Sequence, residues 1–288
     1  MTARSWLAPA RPAFPGPIED PAERRAIRVE LLIVFGITLG MSGLRSLLSL
    51  VDSLLQPVPL AQQQTQLNVP QAAASLIDLM KQLLSAAQLV GWGALGLYLL
   101  WRGGIKLARI GLDRRSPGKD ALLTIGLAAL IGIPGLGLYF LSYHLGFSLA
   151  VQPSTLGDTW WRPFSLTASA FGNAFAEEVL VIGFLLTRLR QLDVNENGAL
   201  VGAAVLRGSY HLYQGFGGFV GNFIMGLVFG RLWQKTNRLW PLVAAHTLFD
   251  VVTFVGYALL KGHVSWLPGK NTVARSASVE GGGGGMDG

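Results

Sequence analysis

The 288 residues contain no cysteine. A disulfide framework, a thiolate metal site and a cysteine nucleophile are therefore excluded. Charge is scarce as well: Asp, Glu, Lys and Arg make up 14% of the chain, against roughly 25% in a typical soluble domain. No Gly-x-Ser-x-Gly elbow and no His-Glu-x-x-His helix occurs, so the commonest serine-hydrolase and zinc-protease signatures are missing. No apolar signal-peptide core precedes the first long hydrophobic run.

What is present is apolar: 51% of residues are hydrophobic. The composition is that of a polytopic membrane protein, and the excess of basic residues (net charge +7) reads as topology rather than nucleic-acid binding. A span needs about 20 mostly apolar residues. Seven stretches qualify: 29–48, 76–101, 120–146, 165–187, 198–214, 216–233 and 239–260. The fold expected is all-α, a polytopic transmembrane helix bundle of about seven spans. The fifth and sixth are short, and "YQGFGGF" between them suggests an irregular or re-entrant join. Residues 1–26, rich in proline and mixed charge, read as a disordered cytoplasmic segment. Residues 27–119 hold the N-terminal transmembrane helices and 120–260 the core. Residues 261–288 end in a glycine-rich flexible tail.

Basic residues alternate from loop to loop. Arg4, Arg11, Arg24, Arg25 and Arg28 precede the first span, and 49–75 has no Lys or Arg. Arg102, Lys106, Arg109, Arg114, Arg115 and Lys119 follow, then Arg162 alone, then Arg188 and Arg190, then Arg231, Lys235 and Arg238, with Lys261, Lys270 and Arg275 of the C-terminal segment a mild exception. Seven spans with a cytoplasmic N-terminus would give this alternation. Trp101, Trp160, Trp161, Trp233, Trp240 and Trp266 fall near span ends, as an interfacial belt would. Arg45, Ser49, Asp52 and Ser53 share one helical face, read as an amphipathic extension at the interface, with cavity lining as the alternative.

Ionisable and amide side chains within spans are costly and mark functional candidates. They cluster late: Asn173, Glu177 and Glu178; Arg207 and His211; Asn222; His246 and Asp250. Asn173/Glu177, Arg207/His211 and His246/Asp250 are i,i+4 pairs, each on one helix face. Glu177 and Glu178 differ by about 100° around a helix and should have different jobs. At 1.5 Å per residue Glu177, His211, His246 and Asp250 reach similar depths. A carboxylate, two imidazoles and an aspartate there suit hydrolysis: a general base toward water, with the others orienting it, stabilising an oxyanion or holding a metal. Helix packing by buried polar groups and a proton-coupled transporter are the competing readings; the scattered glycines read as close helix packing.

These residues resemble a known family. "EEVLVI", "RGSYH" and "HTLFD" are similar to the Glu-Glu-x-x-x-Arg, Phe-x-x-x-His and His-x-x-x-Asn/Asp motifs of the CPBP intramembrane proteases, the CAAX-processing and bacteriocin-processing endopeptidases of the Abi family. The resemblance covers about 120–260 and makes that region a protease-type core. It implies a helix bundle in the bilayer and peptide-bond hydrolysis of membrane-associated substrates. Glu177 would be the general base, with His211 holding the water and His246 with Asp250 stabilising the oxyanion. It implies glutamate-based chemistry without an obligatory cofactor; in the zinc alternative Glu177, His211 and His246 would be the ligands. An inactive scaffold on the same fold is the second expectation. Two motif positions depart: Ile182 stands where the motif has arginine, and Arg207 where it has phenylalanine. The exchange is reciprocal, so Arg207 is expected to reach Glu178 from the neighbouring helix and leave Glu177 as the working base.

Overall fold

The computed structural model describes residues 14–260. The expected tail 261–288, residues 1–13 and Trp266 lie outside the described residues.

The first helix, α1 (Pro21–Ile37), starts at a strong local signal. The Asp20 carboxylate accepts from the N–H groups of Ala22 and Glu23, and Pro21 occupies the first turn, where its missing N–H costs nothing. Residues 21–26, expected in the disordered segment, are therefore helical. The chain then bends by 48° into α2 (Leu39–Leu55). The bend centres on Thr38, whose hydroxyl donates to the Val34 carbonyl at 2.6 Å, a back-bond that tilts helices. Along α2, Arg45, Ser49 and Asp52 are exposed and Ser53 is half-buried, while Ser46 and Leu50 are buried.

A short parallel pair follows, β1 (Gln64–Asn68) with β2 (Ala150–Ser154), in the register Gln64 to Ala150. It adds two strands to a fold expected to be all-α. Their sequences, QTQLN and AVQPS, hold one β-branched residue each and lack the alternation that marks a strand. The remaining helices are α3 (Ser75–Arg102), α4 (Pro117–His144), α5 (Arg162–Gln191), α6 (Glu196–Ser209), α7 (Phe216–Thr236) and α8 (Trp240–Leu260). Five of them, α3, α4, α5, α7 and α8, are long and apolar enough to cross a bilayer; the bent α1–α2 pair makes six if taken as one span. The seven-span expectation is thereby corrected. Its fifth span, 198–214, is a 14-residue helix that stops at Ser209 and continues through an irregular turn. That turn ends level with the sheet, because Leu149 donates its N–H to the Gln214 carbonyl.

The bundle has a basic end. Arg24 binds the Leu192 carbonyl, Arg188 binds Glu30, Trp233 Nε1 donates to the Ile110 carbonyl, and Arg238 clamps Asp113 and Asp120. These contacts gather four of the basic-rich segments. The strands, Gly215 and the Trp161–Ser75 hydrogen bond mark the other end. Trp101, Trp160 and Trp240 are exposed near helix ends, but Trp161 and Trp233 are buried and hydrogen-bonded, so those two do not belong to a belt.

Helix α5 is the axis. Of its most apolar stretch 83% is buried, against no more than 28% for the other long helices. It nestles closely against α3: a Cβ at Gly93 would press on Phe175, one at Gly96 on Leu180, and one at Gly172 on the Ala86 backbone. Small residues let membrane helices approach this closely without a hydrophobic driving force. From Glu178 to Leu185 the helix widens into a π-helical segment, a rare form that recurs at functional sites.

Candidate functional site

The encircled position of α5 explains why both glutamates are interior. On a peripheral helix, a 100° step would turn one of them to lipid. Here α6 and α8 receive them on adjacent faces, and Glu178 is fully buried while Glu177 keeps 8% exposure.

Arg207, on the last turn of α6, sits between them with no exposure at all. Its Nη2 lies 2.6 Å from Glu178 Oε1 and 3.3 Å from Glu177 Oε2. The cross-helix contact expected from the reciprocal exchange forms, but Arg207 also reaches Glu177. Its guanidinium lies over the Phe229 ring, 5.7 Å from the centroid, so its desolvated charge rests on two carboxylates and an aromatic face. Ile182, one turn beyond Glu178, is buried in the apolar core.

His246 Nδ1 lies 2.7 Å from Glu178 Oε1 and 3.0 Å from Arg207 Nη2. A carboxylate only accepts and a guanidinium only donates. Nδ1 cannot serve both, and the shorter contact assigns Nδ1–H as donor to Glu178. The ring orientation turns Nε2 toward Asp250, whose Oδ2 is 3.6 Å away on the next turn of α8, where a second ring proton would face a carboxylate. The Phe249 ring stacks on the imidazole at 4.8 Å and fixes its plane.

His211 is not on a helix. The chain leaves α6 after Ser209 and passes through Tyr210 (φ −81°, ψ 4°) and His211 (φ −108°, ψ 4°), in the bridge region where active-site residues recur. His211 Nε2 ends 3.8 Å from Glu177 Oε2. Tyr210, absent from the sequence reading, donates its hydroxyl to the same oxygen at 3.0 Å. Its i,i+3 spacing from Arg207 was the available signal. Of the residues expected in support, Asn222 donates to the Gly218 carbonyl of its own helix. Asn173 is half-buried one turn before Glu177, without a hydrogen bond to the cluster among the described residues.

The cluster thus has a sealed side and an open side. Side-chain exposure is 11% for Glu177, 16% for His211 and 15% for Asp250, and 0% for Glu178 and Arg207. The zinc alternative does not fit these residues. The Arg207 cation already occupies the position between Glu177 and His246, His246 Nδ1 is committed to Glu178, and among the described residues no group of three or more His, Asp or Glu side chains is arranged to hold a metal.

Fold and site together define a polytopic helical membrane protein with an acid–base cluster at the heart of its bundle. Residues 159–252 match the family described as type II CAAX prenyl endopeptidase Rce1-like. That segment, about a third of the chain, is a domain of this family; it runs from just before α5 into α8 and contains every member of the cluster. No curated protein and no solved structure matches the chain.

Proposed function

We propose that the protein is an intramembrane endopeptidase that hydrolyses peptide bonds of membrane-associated substrates, CAAX-like or bacteriocin-like, with a glutamate-activated water. The observation that carries this is the division of labour between the two glutamates. Glu178 is sealed and its Oε1 is taken by Arg207 and His246. Glu177 borders the open side with His211, one of its oxygens held by Tyr210. A general base must reach its proton donor, and of the two only Glu177 does.

In this mechanism Glu177 takes a proton from a water directed by His211, and the hydroxide adds to the scissile carbonyl carbon. His246, held through Nδ1–H by Glu178 and carrying a second proton on Nε2 beside Asp250, donates Nε2–H to the developing oxyanion as an imidazolium. Glu177 then returns the proton to the departing amine as the C–N bond breaks. The basic end, holding most Lys and Arg, faces the cytoplasm by the positive-inside rule, with the N-terminus on that side. The partners are the bilayer and a peptide or protein substrate.

The test is cleavage of fluorogenic peptides, prenylated and unmodified, by purified protein in liposomes. Glu177→Gln should lower the rate by about 10²–10⁴-fold, the usual share of general-base catalysis. A wild-type rate in that variant would remove Glu177 from the role. Wild-type protein inert toward every peptide would favour the non-catalytic scaffold.

A further inference from the structure

We infer a binding site for one anionic phospholipid in the groove between α1 and α3 at the basic end. The groove, open along one side, offers about 630 Å³, within the roughly 300–1,000 Å³ span of small-ligand sites. Its walls are apolar: Ala22, Ala26, Val29 and Ile33 of α1 face Leu95 and Leu99 of α3. Two charged residues line it. Glu30 is bound by Arg188 at 2.7 Å, and Arg188 is buried with its remaining nitrogens on the Gln191 side chain and the Leu99 carbonyl. The acid is therefore neutralised from behind. Arg25 is exposed and makes no ion pair or hydrogen bond among the described residues.

An apolar slot with one uncommitted guanidinium at the polar edge of a membrane bundle has the chemistry of an acyl chain below a phosphate. Basic pockets between membrane helices bind anionic head groups in this way. A zwitterionic lipid could lay its chain in the same slot, but its headgroup carries no net charge for Arg25 to compensate. Next to the groove α1 also meets α5: Glu30 binds Arg188 and the Phe35 ring packs on Phe184 at 6.3 Å. The lipid would thus brace α1 against the central helix. This inference does not depend on the hydrolytic reading.

Native mass spectrometry of the purified full chain, titrated with phosphatidylglycerol or phosphatidylcholine of identical acyl chains, tests it. Wild type should retain phosphatidylglycerol about fivefold more, the effect of one Arg–headgroup contact. Arg25→Gln should abolish that preference while still binding a chain. Ala26→Trp, which fills the slot, should lose both lipids, with its unfolding temperature in lipid-free detergent unchanged as the control for folding. Equal retention of the two lipids by wild type, an unchanged preference in Arg25→Gln, or unchanged binding in Ala26→Trp would each overturn the assignment.

Discussion

Tyr210 illustrates how a single hydroxyl can divide two chemically identical oxygens. By donating to Glu177 Oε2 at 3.0 Å, it fixes that oxygen and leaves Oε1 as the freer acceptor for a water proton. A hydrogen bond to a charged group contributes about 1.5–3 kcal/mol. Tyr210→Phe keeps the ring, which sits 4.9 Å from His211, and removes only the donor. In the proposed protease it should lower kcat by about 10- to 100-fold with KM nearly constant; steady-state kinetics separates the two, and a change confined to KM would assign Tyr210 to substrate binding instead. The His246–Glu178 bond can be tested in parallel. Glu178→Gln keeps an oxygen acceptor for both Arg207 and His246, which meet the same Oε1, and removes the charge that offsets the buried Arg207 cation. The expected outcome is a lowered unfolding temperature by thermal melt in detergent, beyond that of Glu177→Gln, because Glu178 is the fully buried partner of Arg207.

At the level of helices, the decisive relation is between α5 and α6. Glu178 has lost the arginine that the motif places at 182 and gained one at 207. Removing Arg207 leaves two carboxylates in the interior with no cation between them, a defect of about 3–5 kcal/mol. Arg207→Phe should therefore melt the protein at lower temperature and abolish cleavage. Adding Ile182→Arg should recover both, since in the widened turn of the π segment position 182 lies close above 178. A double variant no better than the single one would show that the two positions are not interchangeable. The site was legible in the sequence because membrane burial makes each polar residue conspicuous, and the i,i+4 spacings of His246/Asp250 carried over intact. What failed was continuity. Hydropathy reads composition and is blind to where backbone hydrogen bonds stop, so 198–214 looked like one span although it breaks at Ser209. That break brings Tyr210 inward. It also places His211 by turn geometry rather than helical angle. The short strands at 64–68 and 150–154 carry no periodic signal, and the helix at 21–26 was obscured by a proline-rich run whose last member, Pro21, opens it.

For the molecule as a whole, the question is which face of the membrane the basic end meets. The ends of the bundle are held by different means: hydrogen-bonded strands at one, and ion pairs such as the Arg238 clamp on Asp113 and Asp120 at the other. Asp113 responds to pH in a defined direction. Burial pushes its carboxyl up, but the Arg115 backbone N–H and Arg238 together outweigh this and hold it below its ordinary value of 3.8. Its stabilising contribution is therefore complete above about pH 4 and is lost as pH falls through the lowered native value. Thermal melts should show wild type losing more stability than Asp113→Asn below pH 4, and the same increment between them from pH 5 to 8. The absence of cysteine makes sidedness directly measurable. Single cysteines at Arg115, exposed at the basic end, and at Val58, exposed beyond α2 at the other, give two reporters in an otherwise thiol-free chain. In intact bacterial cells an impermeant maleimide should label Val58→Cys and spare Arg115→Cys until the cells are lysed. The reverse pattern would invert the bundle and put the basic residues on the outer face, against the positive-inside rule. Labelling of both in intact cells would mean that the two ends do not lie on opposite sides of a bilayer, and the span assignment itself would fall.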